Sequence, residues 1–237
     1  GEAMLKASVV WSDATTRASA LASRTYPTED AAVLRLKEVI VGGSILEDTP
    51  PRWTNHLYDP IYNIGWSGEK LGEVDSGLVK LLSLIALAPE DNVSAKEWVN
   101  NEPLQESYGR YGGNRTWKQA LKYYADGNLE EAYRTLGFVL HLLEDVSVPD
   151  HTRNDPHPHS LESVTGETGS PFEEYLKRWN RLTLTDVATG LKQRGEAPMM
   201  QNSIEDHIDS LARYSNRYFF SKDTINDPDY ENPKIIR

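Results

Sequence analysis

The stretch from residue 128 to 174 restricts this chain more than any other. It reads NLEEAYRTLGFVLHLLEDVSVPDHTRNDPHPHS, continues through a Gly/Ser/Thr-rich insert and ends in SPFEE. Asn128 is a strong N-cap, Glu130 and Glu131 put carboxylates in a first turn where the helix dipole favours them, and apolar residues recur at helical spacing up to Val148-Pro149. Tyr133, Gly137, His141 and Asp145 are four apart and share one stripe, so His141 and Asp145 point into the same space. Gly137 costs a helix interior roughly 1 kcal/mol relative to Ala. One turn before His141, it leaves room for an ion or a close-packed helix.

Four of the six histidines fall in this stretch, at His141, His151, His157 and His159, together with Asp145, Asp150, Asp155, Glu162 and Glu173. A lone histidine among Phe138, Val139, Leu140, Leu142 and Leu143 is more often a hydrogen-bonded core residue than a ligand. Asp145 shifts the balance, because a buried carboxylate without a partner is costly and a cation satisfies it. There is no cysteine, so any metal must use His, Asp, Glu, backbone or water.

The rest of the chain sets bounds. Its 237 residues, 38% apolar and without an internal repeat, predict one domain over 1–237 with a sizeable core. A net charge of −11 and a pI near 5.0 argue against broad polyanion binding, although a local cationic centre could still hold one phosphate. The longest apolar run, Leu78 to Ala88, is broken by Lys80 and Ser83 and is too short to span a bilayer. No signal peptide is visible, and the leading Gly1 is compatible with a chain whose export signal has been removed.

Helical periodicity predicts a short helix around Thr16–Arg24, another over Ala31–Val41 stopped by Gly42-Gly43, and a long one over Glu69–Ala88. Further helices are expected at Ser94–Asn100, from Thr116 through Tyr124, from Pro171 to about Leu191 and from about Ser203 to Phe220. The expected inward residues are Phe172, Tyr175, Leu176, Trp179 and Leu182 in the first of the last two, and Ile204, Ile208, Leu211 and Tyr214 in the second. The segment 44–66 reads as an irregular loop rich in aromatic and acidic residues, and 152–170 reads as a loop insert. No alternating strand pattern of useful length occurs, so the expected class is all-α.

The string HLLEDVSVPDH resembles the HxxxDxxxPxH signature of the zinc-dependent phospholipase C and S1/P1 nuclease superfamily, and TNHLYDP resembles a segment of bacterial phospholipases C. The two occur in the family's order, and the resemblance spans roughly Gly42 to Trp179. It implies a single-domain helical bundle of the phospholipase C/P1 nuclease type. It also implies one zinc held by Asp48, His56, His141 and Asp145, with Glu47 adjacent to the first of these. A second zinc would be held by His151, a histidine of the DPHPH segment and Glu173. His157 is the choice there; His159 is the runner-up and a His159/Glu162 pair a third option. The family's third zinc uses an N-terminal Trp and a nearby His. This chain has no His before His56, Trp11 is not terminal, and Thr15, Thr16 and Arg17 stand where the ligand is expected, so two ions are expected. His207 reads as structural.

Two carboxylates and two imidazoles neutralise a divalent zinc, whereas two imidazoles and one carboxylate leave a cationic, open centre suited to phosphate. The resemblance therefore implies a phosphodiester hydrolase in which metal-activated hydroxide attacks phosphorus and Asp48 is a ligand and proton acceptor. Phospholipid or another phosphodiester is the expected substrate, with contact at a membrane surface through Tyr58, Tyr62 and Trp66. The resemblance also implies a secreted or periplasmic location. Arg17, Arg52 and Arg153 are candidates to offset phosphate charge. A single-strand nuclease, with nucleic acid as substrate, is the alternative; a degenerate non-catalytic metal-binding member is the other.

Overall fold

Residues 29–66, 92–155, 169–176, 178, 181–196 and 200–233 are described by the structure, a computed structural model. Among them the protein is all-α, and the sole β interaction is an isolated antiparallel bridge between Asp59 and Ile64. In chain order the helices are α1 (Glu29–Glu47), α2 (Ala95–Trp98), α3 (Glu102–Ser107), α4 (Trp117–Ala125), α5 (Leu129–Asp145), α6 (Pro149–Thr152), α7 (Pro171–Leu176), α8 (Arg181–Gln193) and α9 (Ile204–Tyr218). Short 3₁₀ turns occupy Arg52–Asn55 and Gly109–Tyr111. The expected helices at Thr16–Arg24 and Glu69–Ala88 lie outside the described residues. Among the described residues, no helix is long and apolar enough to cross a membrane.

The fold is built around α5, against which α1, α4 and α9 pack. The Asn128 side chain accepts a hydrogen bond from the Glu131 N–H, capping the helix start. The helix ends at Asp145, short of the predicted Val148, because Val148 turns extended and Pro149, lacking an N–H, opens α6 instead. Thr135, Phe138, Val139 and Leu142 are buried, and the last two join Tyr58, Trp98, Val99, Ile208 and Ala212 in the main core.

The glycine pair at 42–43 does not stop α1, which continues a full turn to Glu47 and so shortens the expected loop at 44–66. Its role is packing. A Cβ on Gly43 would sit 2.0 Å from the Arg134 carbonyl oxygen, and one on Gly137 would sit 2.0 Å from that of Ile40. Two glycines facing each other let α1 and α5 approach backbone to backbone, which outweighs their poor helix propensity. The space left by Gly137 is filled by a helix.

Other expectations are corrected at the ends of the fold. The helix predicted from Pro171 to Leu191 is described as two, α7 and α8. Tyr175 and Leu176 are exposed rather than inward, while Phe172 packs edge-on against Phe219. In α9 the buried stripe is Ile204, Ile208, Ala212 and Ser215, at strict helical spacing, with Asn216 beside it; Leu211 and Tyr214 lie off it and are exposed. The side chains of Trp179 and Leu182 lie outside the described residues.

Candidate metal centre

Four separate elements deliver side chains to one point at the end of α5. His141 and Asp145 come from its last turns, His56 from the residue after the first 3₁₀ turn, His151 from α6, and Asp48 from the residue after α1. Backbone bonds fix their relation. The Tyr58 N–H donates to the His151 carbonyl at 2.9 Å, tying the His56 segment to α6, and the Leu57 carbonyl accepts from Ala95 N–H at 3.1 Å. Ser170 Oγ donates to Asp150 Oδ2 at 2.6 Å and accepts from Glu173 N–H at 3.3 Å, so the start of α7 is held against α6.

Asp145 Oδ2 is the hub. It lies 2.8 Å from His56 Nδ1, 3.2 Å from His141 Nε2 and 3.7 Å from His151 Nδ1. Asp48 Oδ1 approaches His141 Nε2 at 3.9 Å from a side chain that is 58% exposed, and Asp48, His56 and His141 bring ligand atoms within 4.8 Å of one another. Glu173 Oε1 stands 3.8 Å from His151 Nε2 on the far side of that ring. Thus Asp48, His56, His141 and Asp145 are brought together, and His151 and Glu173 adjoin them. His157, His159 and Glu162 lie outside the described residues, as does Arg17.

The donor set fits a cation. Asp145 Oδ2 is buried, yet among the described residues it accepts no hydrogen bond of acceptable geometry from the rings around it. A buried carboxylate oxygen without a hydrogen bond is costly, and a metal ion satisfies it. The donor atoms of a tetrahedral zinc stand roughly 3.3 Å apart, given bonds near 2.0–2.1 Å, and the distances of 2.8, 3.2 and 3.9 Å bracket that value. Glu144 and Asp145 also end α5 with no basic residue in its last turn, where the dipole disfavours carboxylates and favours positive charge.

The carboxylates and imidazoles of the cluster shift one another's ionisation. Burial works against ionisation of Asp145, but His141, His151 and His56 hold its carboxyl well below the usual range. Burial likewise opposes charge on His56, and the carboxylates of Asp145 and Glu47 override it, holding the imidazole up at about 10. Burial pushes the Glu144 carboxyl up to about 7; His141 opposes the rise and Asp145 adds to it.

Two residues stand behind the rings: Glu47, which the sequence marks only as the neighbour of Asp48, and Ser44, which it does not single out. Glu47, fully buried, places Oε1 3.4 Å from His56 Nε2, and Ser44 Oγ lies 3.4 Å from His141 Nδ1. The signal was the spacing Ser44-x-x-Glu47-Asp48, which is one face of a helix only if α1 is carried through its glycines.

Two arginines considered for phosphate have other work. Arg52 is wholly buried, bonded through Nε to Glu47 Oε2 at 2.7 Å and through its other nitrogens to the Gly113 carbonyl at 3.0 Å and Gln105 Oε1 at 3.1 Å. Arg153 is equally buried and donates to the carbonyls of Asn216 and Glu231, anchoring the C-terminal segment. Of the expected substrate-facing aromatics, Tyr58 is a fully buried core residue, Trp66 stacks obliquely on Trp53, and Tyr62 is exposed. His207 sits in α9, where its Nε2 accepts from Gln201 N–H at 3.4 Å. No protein-family model matches the chain, and a search of curated proteins returns no match.

Proposed function

We propose that the protein is a zinc-dependent phosphodiester hydrolase of the kind its phospholipase C-like motifs imply. The observation that carries this reading is Asp145 Oδ2, buried and unsatisfied among three imidazole nitrogens supplied by three elements. Structural histidines are normally satisfied one at a time by backbone or solvent, and convergence of this kind is the arrangement of a metal centre.

Asp48, His56, His141 and Asp145 would hold one zinc, and His151 and Glu173, with His157 from the resemblance, a second. Zinc bound there supplies a water acidic enough to be hydroxide near neutrality and a positive clamp for phosphoryl oxygens. The chain's own residues supply the rest. Asp145 sets the charge of the buried end of the site, and the rings of His56 and His141 pack against each other with centroids 4.7 Å apart. Asp48 is the exposed carboxylate of the cluster with His56 and His141, so the oxygen that does not ligate would be the acceptor for the proton released when a metal-bound water ionises.

The test is hydrolysis of bis(4-nitrophenyl) phosphate, short-chain lecithin and single-stranded DNA by protein loaded with zinc. Turnover of a phosphodiester that chelator abolishes, and that His151→Ala lowers at least about 100-fold, supports the reading, since losing a ligand exceeds the roughly 10–100-fold effect of losing an outer partner. Inertness of zinc-loaded protein toward all three overturns it. Preference for lecithin favours a phospholipase, and release of mononucleotides favours the nuclease.

A further inference from the structure

The last turn of α1 contributes to the site as well as Asp48, the residue that follows it. Ser44 and Glu47, three residues apart on one helical face, each stand behind a different ring of the centre, on the nitrogen turned away from Asp145. We propose that Glu47 is a positioning residue, not a ligand: it holds His56 with hydrogen on Nε2 and the Nδ1 lone pair toward the metal. The inference rests on the metal-centre reading above.

Glu47 cannot turn to do anything else. Oε2 accepts from Arg52 Nε at 2.7 Å, Oε1 accepts from Trp98 Nε1 at 2.6 Å, and the same Oε1 faces His56 Nε2 at 3.4 Å. Arg52 is pinned in turn by the Tyr111 and Gly113 carbonyls and Gln105, with its guanidinium carbon 4.9 Å from the ring centres of both Trp98 and Phe138. With one oxygen held by Arg52 Nε and the other by Trp98 Nε1, Glu47 presents a fixed acceptor to Nε2.

An imidazole bound to a metal through one nitrogen carries its hydrogen on the other, and an acceptor placed there favours that arrangement. With a cation taking the Nδ1 lone pair, on the side of Asp145 Oδ2, the hydrogen goes to Nε2, where Glu47 Oε1 stands at 3.4 Å. A carboxylate behind a ligating histidine also raises its basicity and fixes its ring. Trp98 Nε1 and Arg52 Nε fix both oxygens of Glu47, and that fixed orientation is what keeps Oε1 against His56. Ser44 Oγ at His141 Nδ1 repeats the arrangement one turn earlier, which makes the end of α1 a bracket for both rings.

The experiment compares zinc affinity, by competition with a chromophoric chelator, in wild type and two double variants. Glu47→Leu/Arg52→Met replaces the buried pair with apolar groups, a change often neutral for stability, and removes the acceptor. Glu47→Gln/Arg52→Met keeps an acceptor oxygen. The expected result is about 10–100-fold weaker binding in the first and recovery to within about threefold of wild type in the second. Equal affinity in all three overturns the proposal while leaving the metal centre intact, whereas a wild type that binds no zinc overturns the centre itself. A variant that does not fold leaves a direct reading on wild type: long-range proton–nitrogen spectra of the zinc-loaded protein should show His56 protonated at Nε2 and metal-bound at Nδ1. The opposite tautomer overturns the proposal.

Discussion

Replacing Gly137 by alanine puts a methyl carbon where the backbone of α1 already lies. In an ordinary helix interior the change is favourable by roughly 1 kcal/mol. Here the new Cβ would sit 2.0 Å from the Ile40 carbonyl oxygen and 2.9 Å from both the Ile40 carbonyl carbon and the Ser44 nitrogen. Relief to ordinary contact, about 3.4 Å, means separating two helix backbones by about 1.4 Å, and no flexible side chain can absorb it. Overpacking typically costs about 1–3 kcal/mol when side chains can yield; with backbone on both sides, a net loss at or above about 3 kcal/mol is expected after the propensity gain. For a chain of this size that lowers the thermal midpoint by about 6–12 °C. Gly42 is the internal control, since a Cβ there meets nothing within 4 Å, and Gly42→Ala should stabilise by up to about 1 kcal/mol. Denaturant unfolding of both variants is the assay. Gly137→Ala as stable as wild type, or the two variants behaving alike, would refute the close-approach account of α1 and α5.

Arg52→Ala strands the buried Glu47 carboxylate, so a loss of about 3–5 kcal/mol in denaturant unfolding is expected; unchanged stability would mean that Arg52 is not the counter-ion the geometry makes it. Asp145→Ala should weaken zinc binding by more than about 100-fold in chelator competition, since it removes the atom on which three rings converge. Asp209 provides a pH signature away from the centre. Burial opposes its ionisation, but Arg213, Tyr58 and Lys96 hold its carboxyl down at about 2. Because that lies below the unfolded value near 3.9, the stabilisation is complete above about pH 4 and is lost as pH falls from 4 toward 2. Discounted for solvent screening at this rim position it amounts to about 1 kcal/mol, and Asp209→Asn should remove that part of the acid slope in urea titrations between pH 2 and 5.

Much of this was legible in the sequence because periodicity and capping are local. Asn128, Thr116 and Ser203 cap the helices they were expected to start, and the spacing of His141 and Asp145 gave their common direction. What was not legible depended on partners distant in sequence. Gly42-Gly43 reads as a helix stop until Gly137 is known to lie opposite, and carrying the helix onward is what turns Ser44 and Glu47 toward the histidines. Arg52 and Arg153 are candidates to offset phosphate charge in the sequence because burial is invisible in a charge count. Hydrophobicity alone favours Leu211 and Tyr214 as inward residues, whereas the stripe Ile204, Ile208, Ala212 turns the smaller residue to the core.

The central claim is that the convergence at Asp145 is a metal centre, and metal content tests it most directly. Protein purified without chelator, equilibrated with zinc and freed of loosely bound ion should carry about two equivalents per chain by elemental analysis, falling to about one or none in Asp145→Ala. Wild-type protein that retains no zinc under these conditions, or an Asp145→Ala variant that retains as much as wild type, would contradict the account.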